Sequence, residues 1–584
     1  MAQADGSTAP DGSGTLDGSG SGAVGQPAGV VPRVVRNDWS SVAVPDLGSW
    51  RPTMTVSVVI PAFNCQPTLD LTLASLSRQT YPADLLEVVV ADDGSDPPLT
   101  LPSIRPAQTK IVRIGADGEA GWGRAAALRC GVAHSTGEIL HWLDADMIAF
   151  PEHVAAQVRW QHVLPYAVTL GYKRFVDPDG DGRWPAAETV AQTLAGGAAA
   201  DLFGGNPGEP HSYVERYVNQ TDQLRIADHH AFKIHVGATA ALCRELYQRA
   251  GGFDAQLRLG EDTEFGYRLA QAGAVFVPEP AARSWHLGRT HVMRARKEIA
   301  RWNRPFFADR IPYPRSWRKV GGTSWSVPLV EVVTAVGDQP LERVRAAVDS
   351  VLRGTEHDVR VTLVGPWDQL DDARVRVLTD PLRDLRLIAA TYRGEPRVRL
   401  ATERPASVFP APYLLDLPAA YGLAPDALRR LIDVADRHQA GVVRVDIDQP
   451  GAVRADSDES GAEPVRGAGV RLWRTAALGR ARWVRAAGEP LFDAVTSVYG
   501  HRDVPADEVG VVDLTRFEVT DLANGMPQPS RRRRAPAALV PTTVEVAGVR
   551  SLAKATVVVA WMAGRRVRAQ WAGSAVRRRA GHSG

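Results

Sequence analysis

Short aliphatic runs that alternate with helical spacing, two of them closed by paired aspartates, constrain this chain more than any other feature of its sequence. Residues 56–61 (VSVVIP) read as a buried strand. Leu69, Leu73 and Leu76 then recur at helical spacing, and residues 85–93 (LLEVVVADD) form a second aliphatic run. Continuous runs of this kind are what parallel strands covered on both faces require. A third run, residues 138–146 (EILHWLDAD), again ends on acids, and residues 169–176 (TLGYKRFV) suggest a fourth strand. The pattern predicts an α/β fold whose ligands gather at the carboxyl ends of the strands.

Those ends carry the acids. Asp92 and Asp93 close one strand and Asp144 and Asp146 another. Two acidic pairs brought together repel unless a cation neutralises them. The alternative for each pair is a solvated strand-to-loop turn, where Asp is common. Other features work by exclusion. Lys+Arg 68 against Asp+Glu 66 leaves a net charge of only +2, so bulk charge gives no reason to expect nucleic acid as a partner. Cys65, Cys130 and Cys243 show no metal or disulfide spacing. The apolar stretch 555–564 is about half the length of a membrane span, and no basic, apolar secretory signal opens the chain. The expected location is therefore cytoplasmic, or peripheral at the inner face of the membrane.

Five motifs stand in order: Ser57-Val-Val-Ile-Pro61-Ala62-Phe63-Asn64; Ala91-Asp92-Asp93-Gly94-Ser95; Gly123-Arg124-Ala-Ala-Ala-Leu128; Leu143-Asp144-Ala-Asp146; and Gly251-Gly-Phe-Asp254 followed by Gly260-Glu261-Asp262. Over residues 54–290 this series resembles family 2 glycosyltransferases of the GT-A (nucleotide-diphospho-sugar transferase) fold, a Rossmann-like α/β architecture. The resemblance implies a nucleotide-sugar site made by Pro61, Ala62, Phe63, Asn64, Asp92, Asp93, Arg124, Asp144 and Glu261. It implies Mg²⁺ or Mn²⁺ held by Asp144, Asp146 and His286, and Asp262 as the catalytic base. The residue types suit those roles: carboxylates accept from an imide N–H, hard oxygens hold the cation, and a carboxylate opposite the leaving group can take a hydroxyl proton. The other reading of Asp262 is a helix cap, and of His286 a hydrogen-bonded structural histidine. Arg129 stands where the family carries Asn, and the membrane domain and Gln-x-x-Arg-Trp motif of processive synthases are missing.

Asp177, Asp179, Asp181 and Glu188 have the spacing of a calcium-binding EF-hand loop, against which stand Pro185 and a strand-like lead-in; an acidic turn is the alternative. Beyond residue 325 the chain echoes its first half: Val330-Glu-Val-Val333 with Val56-Ser-Val-Val59, Leu415-Asp416 with Leu143-Asp144, Thr475-Ala-Ala-Leu478 with Thr239-Ala-Ala-Leu242, and Gly488-Glu-Pro490 with Gly260-Glu-Asp262. The expected organisation is a disordered leader (1–35), a catalytic GT-A domain (50–320), a degenerate GT-A-like domain (326–505) and a basic, partly disordered tail (506–584). The tail's Arg531–Arg534 run and later arginines around Trp561 and Trp571 suit contact with an anionic membrane or a solvated surface. The function expected is a metal-dependent, inverting transfer of a sugar from a nucleotide-sugar donor to a glycan, lipid-linked or small-molecule hydroxyl acceptor in cell-surface glycan or glycolipid assembly. The rival is a non-catalytic glycan-binding or scaffold protein built on transferase-like domains.

Overall fold

The computed structural model describes residues 31–115, 121–178, 183–227, 229–318, 324–447 and 469–523. The aliphatic runs become strands β1 (Val56–Ala62), β2 (Leu86–Asp92) and β4 (Ile139–Leu143), with β3 (Thr109–Arg113) at the edge. β1 pairs in parallel with both β2 and β4. Val56, Val58, Ile60, Val88, Val90, Ile139 and Leu140 are fully buried, each stabilising the fold by about 1.5–3 kcal/mol. The sheet continues through β5 (Met147–Ala149), β6 (Ala167–Val176), β7 (Glu209–Pro210), β8 (Thr239–Cys243) and β9 (Val275–Leu287), in the order β3-β2-β1-β4-β8-β6-β9-β5 with β7 on β6. β8 runs antiparallel to β4 and β6, whereas β6 and β9 are parallel. The α/β expectation holds, and the carboxyl ends of β1, β2 and β4 open on one edge.

A second sheet follows, built from β10 (Val330–Ala335), β11 (Val359–Val364), β12 (Val398–Ala401), β13 (Tyr413–Asp416), β15 (Val442–Asp446), β16 (Arg471–Arg474) and β17 (His501–Pro505). β14 (Tyr421–Leu423) pairs separately with β18 (Val511–Asp513). The order β12-β11-β10-β13-β16-β15-β17 repeats β3-β2-β1-β4-β8-β6-β9 position for position, including the antiparallel fifth strand, β16, and the parallel closing pair β15/β17. Two of the sequence echoes nonetheless point to the wrong residues. Val59 stands beside Trp142, and Val333 beside Asp416. Asp416 is thus the counterpart of Trp142, and the acids of the first sheet correspond to Pro418 and Ala420. Thr239 to Leu242 lie in strand β8, whereas Thr475 to Leu478 open the helix Thr475–Val484. Small apolar residues suit either setting, so that likeness carries no register.

Two expected boundaries also move. The expected leader ends at residue 35 and the catalytic domain begins at 50, yet Val34 is fully buried and Asn37 hydrogen-bonds Leu224 and Phe276. Residues 506–523, assigned to the tail, supply β18 and the helix Val519–Leu522, with Leu514 and Leu522 buried against Ala346 and Ala347. The remainder of the tail, with its arginine clusters, lies outside the described residues. Among the described residues no helix is long and apolar enough to cross a membrane.

The two sheet domains lock together where backbone meets backbone. A Cβ on Gly273 would stand 2.3 Å from the Arg480 nitrogen, and one on Gly479 2.5 Å from the Gln271 oxygen. The close approach buries Arg480 completely. Its guanidinium donates to the carbonyls of Gly273, Ala274, Val34 and Arg36, and so joins the first domain, the N-terminal strap and the second domain. Arg480→Ala leaves those carbonyls without a donor, and we expect a loss of about 3–5 kcal/mol, read as a lower midpoint in urea unfolding of the full chain; an unchanged midpoint would show that the seam is held elsewhere.

Candidate active site

Strand ends and one helix terminus bring the predicted residues to a single cleft. Asp144 follows β4, and the short antiparallel pairing of β5 with β9 sets Met147 opposite His286, which draws that ring beside Asp146. The ligand atoms of Asp144, Asp146 and His286 all lie within 4.8 Å of one another, and His286 Nε2 is 3.7 Å from Asp146 Oδ1. Asp146 Oδ1 is buried with no hydrogen-bond partner. Burial, then the Asp144 carboxylate, pushes Asp146 up to about 7, and burial pushes His286 down to about 4. Two hard oxygens and a neutral imidazole, one oxygen left without a donor, fit a divalent cation.

Arg124 is the hub. It opens the helix Arg124–Ala133, whose cap residue Gly123 donates its N–H to Asp93 at 2.7 Å. The guanidinium reaches Asp144 Oδ1 at 2.8 Å and Glu261 Oε1 at 2.9 Å, and it also donates to the Gly237 carbonyl. Burial alone would lower its pKa, but the charges of Asp144, Glu261 and Asp262 raise it. Glu261, almost fully buried, is pushed up to about 7 by burial against the opposing pull of Arg124.

Asp262 occupies the first turn of the helix Glu261–Gln271, whose cap Gly260 has φ +78°. One carboxylate oxygen accepts from Gly237 N at 2.9 Å and the other from Thr263 N at 2.7 Å. The expected alternative, a cap, is not its place, because Gly260 fills that position. His235 lies beneath, its Nδ1 2.7 Å from the Asp262 carbonyl.

The nucleoside end divides the predicted acids. Asp92 is fully buried and serves its own turn: Oδ1 accepts from Ser95 N at 2.8 Å, and Arg113 stands 3.6 Å from Oδ2. Asp93 keeps one oxygen without a partner and is raised by burial. Pro61 and Ala62 end β1; Phe63 is 57% exposed over the cleft edge, and Asn64, at φ +48°, is tied to the Asp-Gly-Ser turn through Ser95 and Asp96. Arg129 is exposed on the outer side of its helix and does not join the cleft.

Sequence reasoning missed Lys173. It is buried on β6, lowered to about 8 by burial while Asp144 and Asp262 hold it up. A bulge between Gly171 and Tyr172 breaks the strand's alternation, so no pattern of two marks it as inward-facing. Of the calcium loop, Asp179 and Asp181 lie outside the described residues. The segment before it is β6 and not a helix, and Asp177 and Glu188 are exposed.

Residues 57–247 match glycosyl transferase family 2, and residues 211–314 match glycosyl transferase family 21. This domain is a family 2 glycosyltransferase domain. With the sheet order above, it has the GT-A fold. The chain is similar to the chondroitin synthase of Escherichia coli, 26% identical over 60% of this chain and 50% of the relative. It is also similar to the validoxylamine A glucosyltransferase of Streptomyces hygroscopicus subsp. limoneus, 28% identical over 40% of this chain and 52% of the relative. The chain thus spans about half the length of these curated relatives. A solved mannosyltransferase of Pyrobaculum calidifontis, in complex with GDP-Man and Mn²⁺, aligns at 21% identity over 49% of this chain and 70% of its own, with a TM-score of 0.28.

Asp146 generates a pH prediction for the metal-free chain. Its folded pKa of about 7 lies above the unfolded carboxylate value, so the folded state favours the protonated form. The resulting contribution is fully present below the unfolded pKa and is lost as pH rises through about 7. Asp146→Asn cannot lose it, so in chelator the variant gains thermal stability over wild type at about pH 8 and not at about pH 4. An equal difference at both values would refute the assignment.

Proposed function

We propose that the chain is a metal-dependent, inverting glycosyltransferase that moves a sugar from a nucleotide-sugar donor to a hydroxyl acceptor. The observation that carries this reading is the convergence of Asp144, Asp146 and His286 with Asp262 around Arg124 in a family 2 domain. Asp144, Asp146 and His286 would hold Mg²⁺ or Mn²⁺, which supplies positive charge to the departing nucleoside diphosphate. Asp93 and the Pro61 to Asn64 loop hold the nucleoside. Arg124, fixed by two carboxylates, and Lys173 face the diphosphate and donor sugar. Asp262, oriented by the two backbone N–H groups it accepts from, takes the proton of the acceptor hydroxyl. That oxygen bonds the anomeric carbon from the face opposite the diphosphate, and the carbon–oxygen bond to the diphosphate breaks. Likeness to a glycan synthase and to a small-molecule glucosyltransferase supports a hydroxyl acceptor of either size, and glycan or glycolipid assembly at the cell surface is the setting we favour.

The second domain repeats the strand plan but not the chemistry. Pro418 and Ala420 stand at the positions of Asp144 and Asp146, and Pro490 caps the helix Leu491–Tyr499 as Gly260 caps Glu261–Gln271, so the Gly488-Glu-Pro490 echo is two residues out of register. Residues 402–412, between β12 and β13, contain no helix to match Arg124–Ala133. We read it as a degenerate GT-A copy that supports the first domain. A scaffold would have no use for the intact acids of the first domain, which favours the enzyme.

The test is a thermal-shift titration with UDP, GDP, dTDP and their sugar derivatives, with and without Mn²⁺. A manganese-dependent rise for one nucleotide, lost in Asp146→Ala, is expected. Asp262→Asn should keep that rise while turnover of the matching donor falls about 1,000-fold. Absence of any nucleotide response in wild type, or full turnover in Asp262→Asn, would defeat the proposal.

A further inference from the structure

A one-sided run of charge lies beside the candidate base. From Arg294 to Arg304 five basic residues, Arg294, Arg296, Lys297, Arg301 and Arg304, stand against the single acid Glu298, and all five are exposed. Lys297, Arg301 and Arg304 follow the i, i+4, i+7 spacing that lines one face of the helix Arg296–Arg310. Among the described residues none of the five is ion-paired, whereas Arg310 at the end of the same helix is committed to Asp254 at 2.8 Å.

The helix is fixed against the site. Asn303 and Phe307 are buried on the Gly260-Glu261-Asp262 turn; a Cβ on Gly260 would lie 2.6 Å from Asn303 Nδ2 and 2.4 Å from Phe307 Cζ. The row of cations on one flank of the helix and Trp302, 49% exposed, on the other are left to solvent. Tyr213, equally exposed on the helix Ser212–Gln220, lies within electrostatic reach of both Asp262 and Arg296. The cations therefore begin where an acceptor hydroxyl must arrive.

We propose that this ridge binds the acceptor and that the acceptor is an anionic saccharide, one bearing carboxylate, sulfate or phosphate groups; the proposal rests on the glycosyltransferase reading of the Asp262 site. Fixed positive charge selects the sign of the ligand and draws it in. Trp302 and Tyr213 offer flat faces on which sugar rings can lie. An anionic bilayer is the competing occupant. The apolar edge of the helix is already spent on the Gly260 turn, however, and Val292 and Trp302 are too few to form the inserted face of an interfacial helix.

The test uses the full chain and fluorescein-labelled hexasaccharides of hyaluronan (carboxylate) and heparin (sulfate), with neutral maltohexaose as control. Binding is followed by anisotropy in about 50 mM and about 300 mM NaCl. A parallel arm measures co-sedimentation with phosphatidylcholine vesicles containing about one quarter phosphatidylserine. At low salt at least one anionic hexasaccharide should bind wild type and maltohexaose should not. The triple variant Lys297→Gln/Arg301→Gln/Arg304→Gln should bind about tenfold more weakly, and the higher salt should erase the difference. The variant's manganese-nucleotide thermal shift should equal that of wild type, which shows that the fold and donor site survive. Failure of both anionic probes to bind, equal binding of maltohexaose, or an unaffected variant overturns the ridge proposal. So does a loss confined to vesicles, which assigns the ridge to a membrane. If wild type binds the anionic probe but no nucleotide shifts it, the transferase reading itself fails, and the acceptor assignment with it.

Discussion

One guanidinium holds the cleft together. Arg124 joins the helix it opens, the end of β4 through Asp144, the Glu261–Gln271 helix through Glu261, and the approach to β8 through the Gly237 carbonyl. Without it, Asp144, Glu261 and Asp262 would crowd as like charges in a half-buried space, where repulsion is weakly screened. Gly237 returns the favour by donating its N–H to Asp262. The Arg124 side and the Asp262 side of the cleft are thus linked through one residue's two backbone groups.

Much of this was legible because it follows from local chemistry. Buried parallel strands have to be aliphatic, and acids at their ends must sit where solvent or a ligand can reach them, so β1, β2, β4 and the Asp144/Asp146 pair could be read directly. The Gly260-Glu261-Asp262 turn was readable for a related reason, since a left-handed cap leaves a glycine in the sequence. What was not legible depended on register. Lys173 points inward only because a bulge resets β6, and the Asp92 carboxylate is consumed by Ser95 and Arg113, which motif order does not reveal. His229 and His230 pack on Tyr313, with His229 3.9 Å from Asp436 of the second domain, while His235 supports the Asp262 turn.

The second sheet repeats the strand plan of the first without acids at the positions of Asp144 and Asp146. Strand order is fixed by hydrophobic burial on both faces, a requirement spread over dozens of residues. Metal ligands and a base are single side chains that a substitution removes at little cost to the core. The seam with the first domain makes a different demand, because Gly273 and Gly479 must stay small for Arg480 to reach its carbonyls. The sequence signal of the seam between the two sheets therefore lies in that glycine pair and the buried arginine.

Gly260 couples the chemistry to the surface outside it. Its positive φ aims Glu261 at Arg124 and Asp262 at Gly237, and its lack of a side chain admits Asn303 and Phe307 from the basic helix. A side chain there would strain the turn and displace that helix together, so the position of the base and the position of the cationic ridge are not independent variables. On the proposed reading, a saccharide guided along the ridge would reach a carboxylate whose orientation is set by the same residue that seats the ridge. Such shared support would keep a reacting hydroxyl and its base in register, for which small errors of placement cost large factors in rate.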